Sequence, residues 1–154
     1  MEPKGKEIVL IFGLIVENNK GYLLCIREKK FDSPLWKLPG GNSGVRVSEL
    51  VALTQNKLWE ETGVVIGKSR LRKRKTFVER GRHNGLLNVS IYEIQKLSLK
   101  EVDDLLPPGT IKTHTSSHGE EFDVSLLAVD DFFDKDVSLP THRGYIKRLM
   151  KPSS

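Results

Sequence analysis

Pro39-Gly40-Gly41 opens a stretch that runs through to Trp59-Glu60-Glu61-Thr62-Gly63-Val64, and its reading decides the fold. Glycine-rich sequence from Gly40 to Val47 leads into a helix, with Ser48 as a plausible N-cap and Thr62 as the last turn. Gly63 then supplies the left-handed residue that ends a helix cheaply. Positions 57, 60 and 61 share one side of such a helix through i, i+3 and i+4 spacing. Two adjacent carboxylates in the last turn, next to a flexible glycine loop, offer oxygen ligands to a hard cation such as Mg²⁺. An isolated Glu-Glu pair also has a plainer reading as a solvated helix end. The combination of loop, helix and Glu-Glu-Thr-Gly-Val ending, at this distance, favours the metal or phosphate reading.

Outward from this segment, the chain alternates strand-like and polar stretches. Ile8–Val16 reads as one buried strand, because it is branched and continuously apolar. Asn18-Asn19-Lys20-Gly21 is turn chemistry, and Tyr22–Ile26 resumes as the second arm of a hairpin. Lys29–Pro34 is a polar loop and Trp36–Leu38 a short strand. Beyond the helix, Ser69–Glu79 is a strand with a basic face, Arg80–Gly85 a turn, and Leu86–Ile94 an alternating strand. Lys100–Thr110 is helical or irregular, His114–Gly119 a polar loop, Phe122–Val129 a strand and Leu139–Met150 a closing helix. Residues 1–154 therefore read as one α/β (α+β) domain, a sandwich of a mixed sheet between the 48–62 and 139–150 helices.

Composition narrows the class. At 38% hydrophobic and 29% charged, the chain can fill one core. The nine-residue apolar run is about half of the ~18 residues that span a bilayer. A single cysteine, Cys25, makes no internal disulfide, so the expected setting is reduced and intracellular, that is, cytoplasmic, with no membrane partner. The net charge of +5 is local: Lys68, Arg70, Arg72, Lys73, Arg74 and Lys75 are six cations within eight residues. That segment is either a solvated strand face or an electrostatic footprint for polyphosphate or RNA.

The box-like segment resembles the Nudix (MutT-like) family, whose box is G-x5-E-x7-R-E-U-x-E-E-x-G-U with U bulky and aliphatic. Leu58 matches the first U, Glu60 and Glu61 the E-E pair, Gly63 the glycine and Val64 the last U. The upstream hairpin, Trp36-Lys37-Leu38-Pro39-Gly40-Gly41 and the late strand before a final helix extend the resemblance over nearly the whole chain. Asn56-Lys57 stands where the family has Arg-Glu, and Ser48, beside Glu49, stands where it has a glutamate. The loop after Gly41 is also one residue longer than the pattern.

The resemblance implies an α/β/α sandwich and a pyrophosphohydrolase acting on a nucleoside diphosphate linked to another group. It implies weakly held Mg²⁺ or Mn²⁺ on Glu60, Glu61 and the Gly41 carbonyl; the glycine loop at Gly40 and Gly41 and, by their own charge, Lys57, Arg72 and Arg74 are expected toward the substrate's phosphates. A general base would come from Glu120 or Glu121, which lie with His114, His118 and Asp123 around a Ser-Ser-His-Gly loop. Lys57 has two readings: an ordinary helical pair with Glu60 or Glu61, or an ammonium standing where a divalent ion would sit. The second favours a competing expectation, a non-catalytic module that binds nucleotide or RNA. His83 and His142 read as structural or surface residues.

Overall fold

A strand with no polar alternation must bury both faces, and Val9–Phe12 and Leu23–Ile26 are buried at every consecutive position. The computed structural model describes residues 6–31, 33–42, 49–80 and 85–150. Its strands are β1 (Lys6–Phe12), β2 (Leu14–Glu17), β3 (Lys20–Glu28), β4 (Gly40–Asn42), β5 (Leu71–Arg80), β6 (Leu86–Ile94), β7 (Lys112–Thr115) and β8 (Glu121–Ala128). The helices are α1 (Leu50–Thr62), α2 (Val129–Phe132) and α3 (Pro140–Met150). One sheet has the order β4-β1-β6-β5 and the other β2-β3-β8-β7. The β1–β6 pair is parallel, which makes the first sheet mixed, whereas the second is antiparallel throughout.

Alternate residues of the central strands feed two cores on opposite sides. Val9, Ile11, Leu24, Ile26, Ile94 and Val124 pack with Leu50 and Leu58 of α1. Leu10, Phe12, Leu23, Cys25, Val89 and Ile91 pack with Tyr145 and Ile146 of α3, together with Phe132. The result is the expected α/β/α layering, with the middle layer divided into two four-stranded sheets instead of one.

That division corrects the reading of Ile8–Val16 as a single strand. The chain leaves the first sheet at Phe12 and enters the second at Leu14. Gly13 makes the crossing. A Cβ there would lie 3.1 Å from Leu97, 3.3 Å from Ile94 and 3.3 Å from Leu24, so a side chain would have to displace packed core atoms. The hairpin follows as expected, with Glu17 opposite Lys20. Asn18 (φ 51°) and Asn19 (φ 65°) both occupy the left-handed region that a two-residue type I′ turn demands.

Other boundaries shift by small amounts. The helix begins at Leu50; Glu49 precedes it without a side-chain capping bond, and Ser48 lies outside the described residues. Much of the Gly40–Val47 loop and of the Arg80–Gly85 turn, including His83, also lies outside them. His114, read as loop, pairs with Phe122 inside β7. The stretch around 100–110 holds 3₁₀ turns over Leu99–Leu105, interrupted by a kink at Val102 (φ −127°) and started by a capping box between Ser98 and Glu101.

Candidate functional site

The last two turns of α1 build the site against β4. Leu50, Thr54, Leu58, Glu61 and Thr62 are the buried side of this helix. Glu61 is therefore turned inward, only 5% exposed, and its carboxylate accepts the Gly40 N–H at 2.9 Å. Burial pushes its pKa up to about 7, against the opposing pull of the Gly40 N–H and the Lys57 and Lys37 charges. Gly40 is irreplaceable here: its φ is 138°, and a Cβ would fall 2.0 Å from the Val9 carbonyl oxygen.

Glu60, one residue earlier, points the other way. Its carboxylate accepts the Ser117 backbone N–H at 2.8 Å and the Ser117 hydroxyl. Those two bonds, with smaller contributions from the His118 and His114 charges, hold its pKa below the usual carboxylate range. Ser117 belongs to the turn between β7 and β8, where the Ser116 hydroxyl oxygen accepts the N–H groups of His118 and Glu120. His114 packs over the end of the helix, its ring 3.0 Å from where a Gly63 side chain would begin. Gly63 itself has φ 79° and closes the helix as expected.

Lys57 lies over the glycine pair. Its Nζ would sit 3.7 Å from a Cβ placed on Gly41, and it makes no ion pair within 4.0 Å among the described residues. Behind it, Lys37 is bound to Glu28 at 2.7 Å. The Leu38 N–H donates to His142 Nδ1 at 3.0 Å. Burial, aided by Lys37, lowers the His142 pKa to about 4, so this histidine is a neutral acceptor fixing the segment before Pro39, where the expected Trp36–Leu38 strand is reduced to isolated bridges of Lys37 to Ile26 and Trp36 to Ser138.

The structure brings Gly40, Gly41, Lys57 and Glu61 together and sends Glu60 to the 116–119 turn. Glu120 and Glu121 are exposed at the start of β8, paired with Lys30 at 3.3 Å and Lys29 at 3.7 Å. Asp123 binds Arg27 at 2.9 Å, and that guanidinium stacks 4.4 Å over Trp36. Arg72 and Arg74 are not near Gly41, since β5 and β4 are opposite edges of the same sheet. The Ser-Ser-His-Gly turn signal marks the loop of Ser117, but nothing local in the sequence says that this loop meets Glu60. Among the described residues, no group of three or more His, Cys, Asp or Glu side chains is gathered to hold a metal ion.

No family model matches the sequence, and no curated protein matches it. Solved structures do match. The NUDIX domain of Shewanella oneidensis NrtR, complexed with ADP ribose, superposes with a TM-score of 0.65 at 16% identity, over 96% of this chain and 87% of that one. A NUDIX hydrolase from Nitrosomonas europaea gives 0.59 at 14%, over 94% and 87%. The C. elegans Ap4A hydrolase gives 0.52 at 10%, over 94% and 96%. The chain spans 60% of the longer S. oneidensis NrtR structure and 38% of an Enterococcus faecalis MutT/nudix family protein. Two sheets between α1 and α3, a glycine pair facing the last turns of α1, and this set of neighbours together establish that the chain has the Nudix fold.

Proposed function

We propose that this chain is a Nudix-fold module that binds the diphosphate of a nucleoside-diphosphate ligand and does not hydrolyse it. The observation that carries this reading is the Lys57 ammonium lying against Gly41, at the position where the Nudix resemblance implies a carboxylate. An ammonium is a compact point charge with three donors, suited to phosphate oxygens. It neutralises charge but does not activate water as a divalent ion does.

The donors present fit Mg²⁺ poorly. That ion demands near-octahedral oxygen ligands, drawn from one or two carboxylates plus substrate and water. Here Glu61 is spent on the Gly40 N–H and Glu60 on Ser117, so the two carboxylates diverge. Lys57 adds a positive charge between the glycine pair and the helix. Glu120 and Glu121, the expected bases, are engaged by surface lysines. The NrtR domain binds ADP ribose in its crystal, which makes ADP-ribose the natural first probe. An intracellular setting belongs to the same reading; no helix among the described residues is long and apolar enough to cross a membrane.

Calorimetric titration with ADP-ribose in EDTA tests the proposal. Binding without metal is expected, together with its loss in Lys57→Glu. Cleavage on adding Mg²⁺ or Mn²⁺, read by chromatography as AMP and ribose phosphate from ADP-ribose, two nucleotides from a dinucleoside polyphosphate, or a monophosphate and pyrophosphate from a nucleoside triphosphate, would overturn it in favour of hydrolysis. The retained Glu60-Glu61 pair is the one feature that favours that second reading.

A further inference from the structure

On the side of the molecule away from α1, cations, an exposed aromatic ring and an open hollow meet along α3 and the edge strand β5. The β5–β6 register slips between Lys73 and Lys75, leaving Arg74 as a bulge. The slip changes which residues face α3. Arg72 lies opposite Glu93, Lys75 opposite Ile91 and Phe77 opposite Val89; Ile91 and Val89 pack in the α3 core, and alternation along β6 puts Glu93 on the same side. Phe77 stacks on Tyr145 of α3 at 4.8 Å. Lys75 and Arg148 then lie over the same Phe77 ring, at 5.2 and 5.3 Å.

Arg148 also borders a hollow of about 540 Å³ lined by Phe133, Gly144, Lys147 and Met150. An adjoining hollow of about 400 Å³ shares Phe133, Gly144 and Lys147 with it and adds Arg143. Two observations suggest a ligand here. A glycine inside a helix is unfavourable, yet nothing lies within 4 Å of where a Gly144 side chain would begin, so packing does not require it. The Arg143 Nη1 is buried with no hydrogen-bond partner among the described residues. Of the carboxylates on this side, Glu79 accepts from the Tyr145 hydroxyl at 2.6 Å and Glu93 from Arg74 at 2.6 Å, while Asp130, Asp131, Asp134 and Asp136 are exposed around Phe133 and make no ion pair among the described residues. Lys75, Lys147 and Arg148 make no ion pair among the described residues.

We propose that the α3–β5 face is a binding site for single-stranded nucleic acid, with a base against Phe133 over Gly144 and phosphates on Lys147, Arg148 and Lys75. Non-sequence-specific single-strand sites combine such a cationic track with an exposed aromatic surface. From Arg143 to Met150 the helix advances roughly 10 Å at 1.5 Å per residue. Lys75 and Arg72 extend the cations along the sheet edge beyond the length of α3's hollow, which suits a strand better than a lone nucleotide. The site is separate from the Lys57 site, on the opposite side of the sheets.

Fluorescence anisotropy with labelled 12-residue RNA and DNA oligomers, over a range of salt, tests this. Binding should weaken with salt, with a log–log slope near −2, as expected for about three phosphates on a single strand. Lys75→Gln with Arg148→Gln should lower affinity about tenfold and flatten the slope. Phe133→Ala should lower affinity about tenfold at unchanged slope. Gly144→Leu, which fills the hollow on an exposed helix side, should do the same while leaving the melting temperature intact. Preference for one oligomer identifies the sugar recognised and supports the site either way. Lys57→Glu should leave oligomer binding unchanged, so failure of the nucleotide reading and failure here are separable. No binding at 50 mM salt, or binding insensitive to Phe133→Ala and matched by inorganic polyphosphate, would overturn the proposal.

Discussion

Glu60 and Glu61 are neighbours in sequence with opposite surroundings, and their protonation follows those surroundings. Successive residues of a helix are set about 100° apart, so one carboxylate reaches the Ser117 turn while the next enters the core. The buried one has the larger thermodynamic consequence. Its folded pKa of about 7 exceeds the ordinary value of 4.5, so the fold favours the protonated form. The stability this confers is complete below the ordinary carboxylate pKa and is lost as pH rises through about 7. At about 1.4 kcal/mol per pKa unit, the swing approaches 3 kcal/mol between pH 4.5 and 7.5. Glu61→Gln keeps an acceptor for the Gly40 N–H without the charge. Urea unfolding should show the variant more stable than the parent at pH 8, by about 1–3 kcal/mol, with the pH slope between 5 and 7 reduced. An unchanged slope would mean that the carboxylate is already solvated.

At the level of elements, β5 shows how a single extra residue sets the use of a strand. Leu71 and Phe77 are six positions apart, so strict alternation would put both on one side of the sheet. Leu71 instead packs in the α1 core and Phe77 in the α3 core. The Arg74 bulge makes that possible. Removing Arg74 alone leaves them five positions apart and still on opposite sides, but removing Arg74 and Lys75 together leaves four and should drive either Leu71 or Phe77 to solvent, costing about 3 kcal/mol or more. Arg74→Ala keeps the count and loses only the exposed pair with Glu93, worth about 0.5 kcal/mol. Chemical denaturation of the double deletion and of Arg74→Ala separates register from charge; equal effects would sink the bulge argument.

Such register changes are also what the sequence hides. The Asn18-Asn19 turn, the Gly63 stop and the Leu86–Ile94 strand are local chemistry and are legible from the residues. The break at Gly13 and the bulge at Arg74 depend on which distant side chains fill the space, namely Leu97, Ile94 and Leu24 for one and Tyr145 for the other. For the site, the box-like residues and the displaced charge of Lys57 are visible in the sequence. The divergence of Glu60 from Glu61 is not, because i, i+3, i+4 spacing names a side of the helix without saying what covers it.

For the molecule as a whole, the two cores are filled by alternate residues of the same strands, so each central strand is a wall shared by both. The sheets are also joined by a single residue, Gly13, between Phe12 of β1 and Leu14 of β2. A loop would leave slack for one sheet to open while the other stayed closed; a single glycine leaves almost none. Opening either sheet pulls directly on the strand register of the other, and the Gly13 carbonyl itself holds the Leu24 N–H at 2.9 Å. Native-state hydrogen exchange should therefore find the amides of Val9, Ile91, Leu24 and Val124 released together, at one opening free energy and with one denaturant dependence. Earlier release of β3 and β8 than of β1 and β6 would mean that the glycine is a hinge and the sheets are separate cooperative units. With a common release, proteases and unfolding force would encounter a single mechanical body in which neither sheet can be peeled away alone.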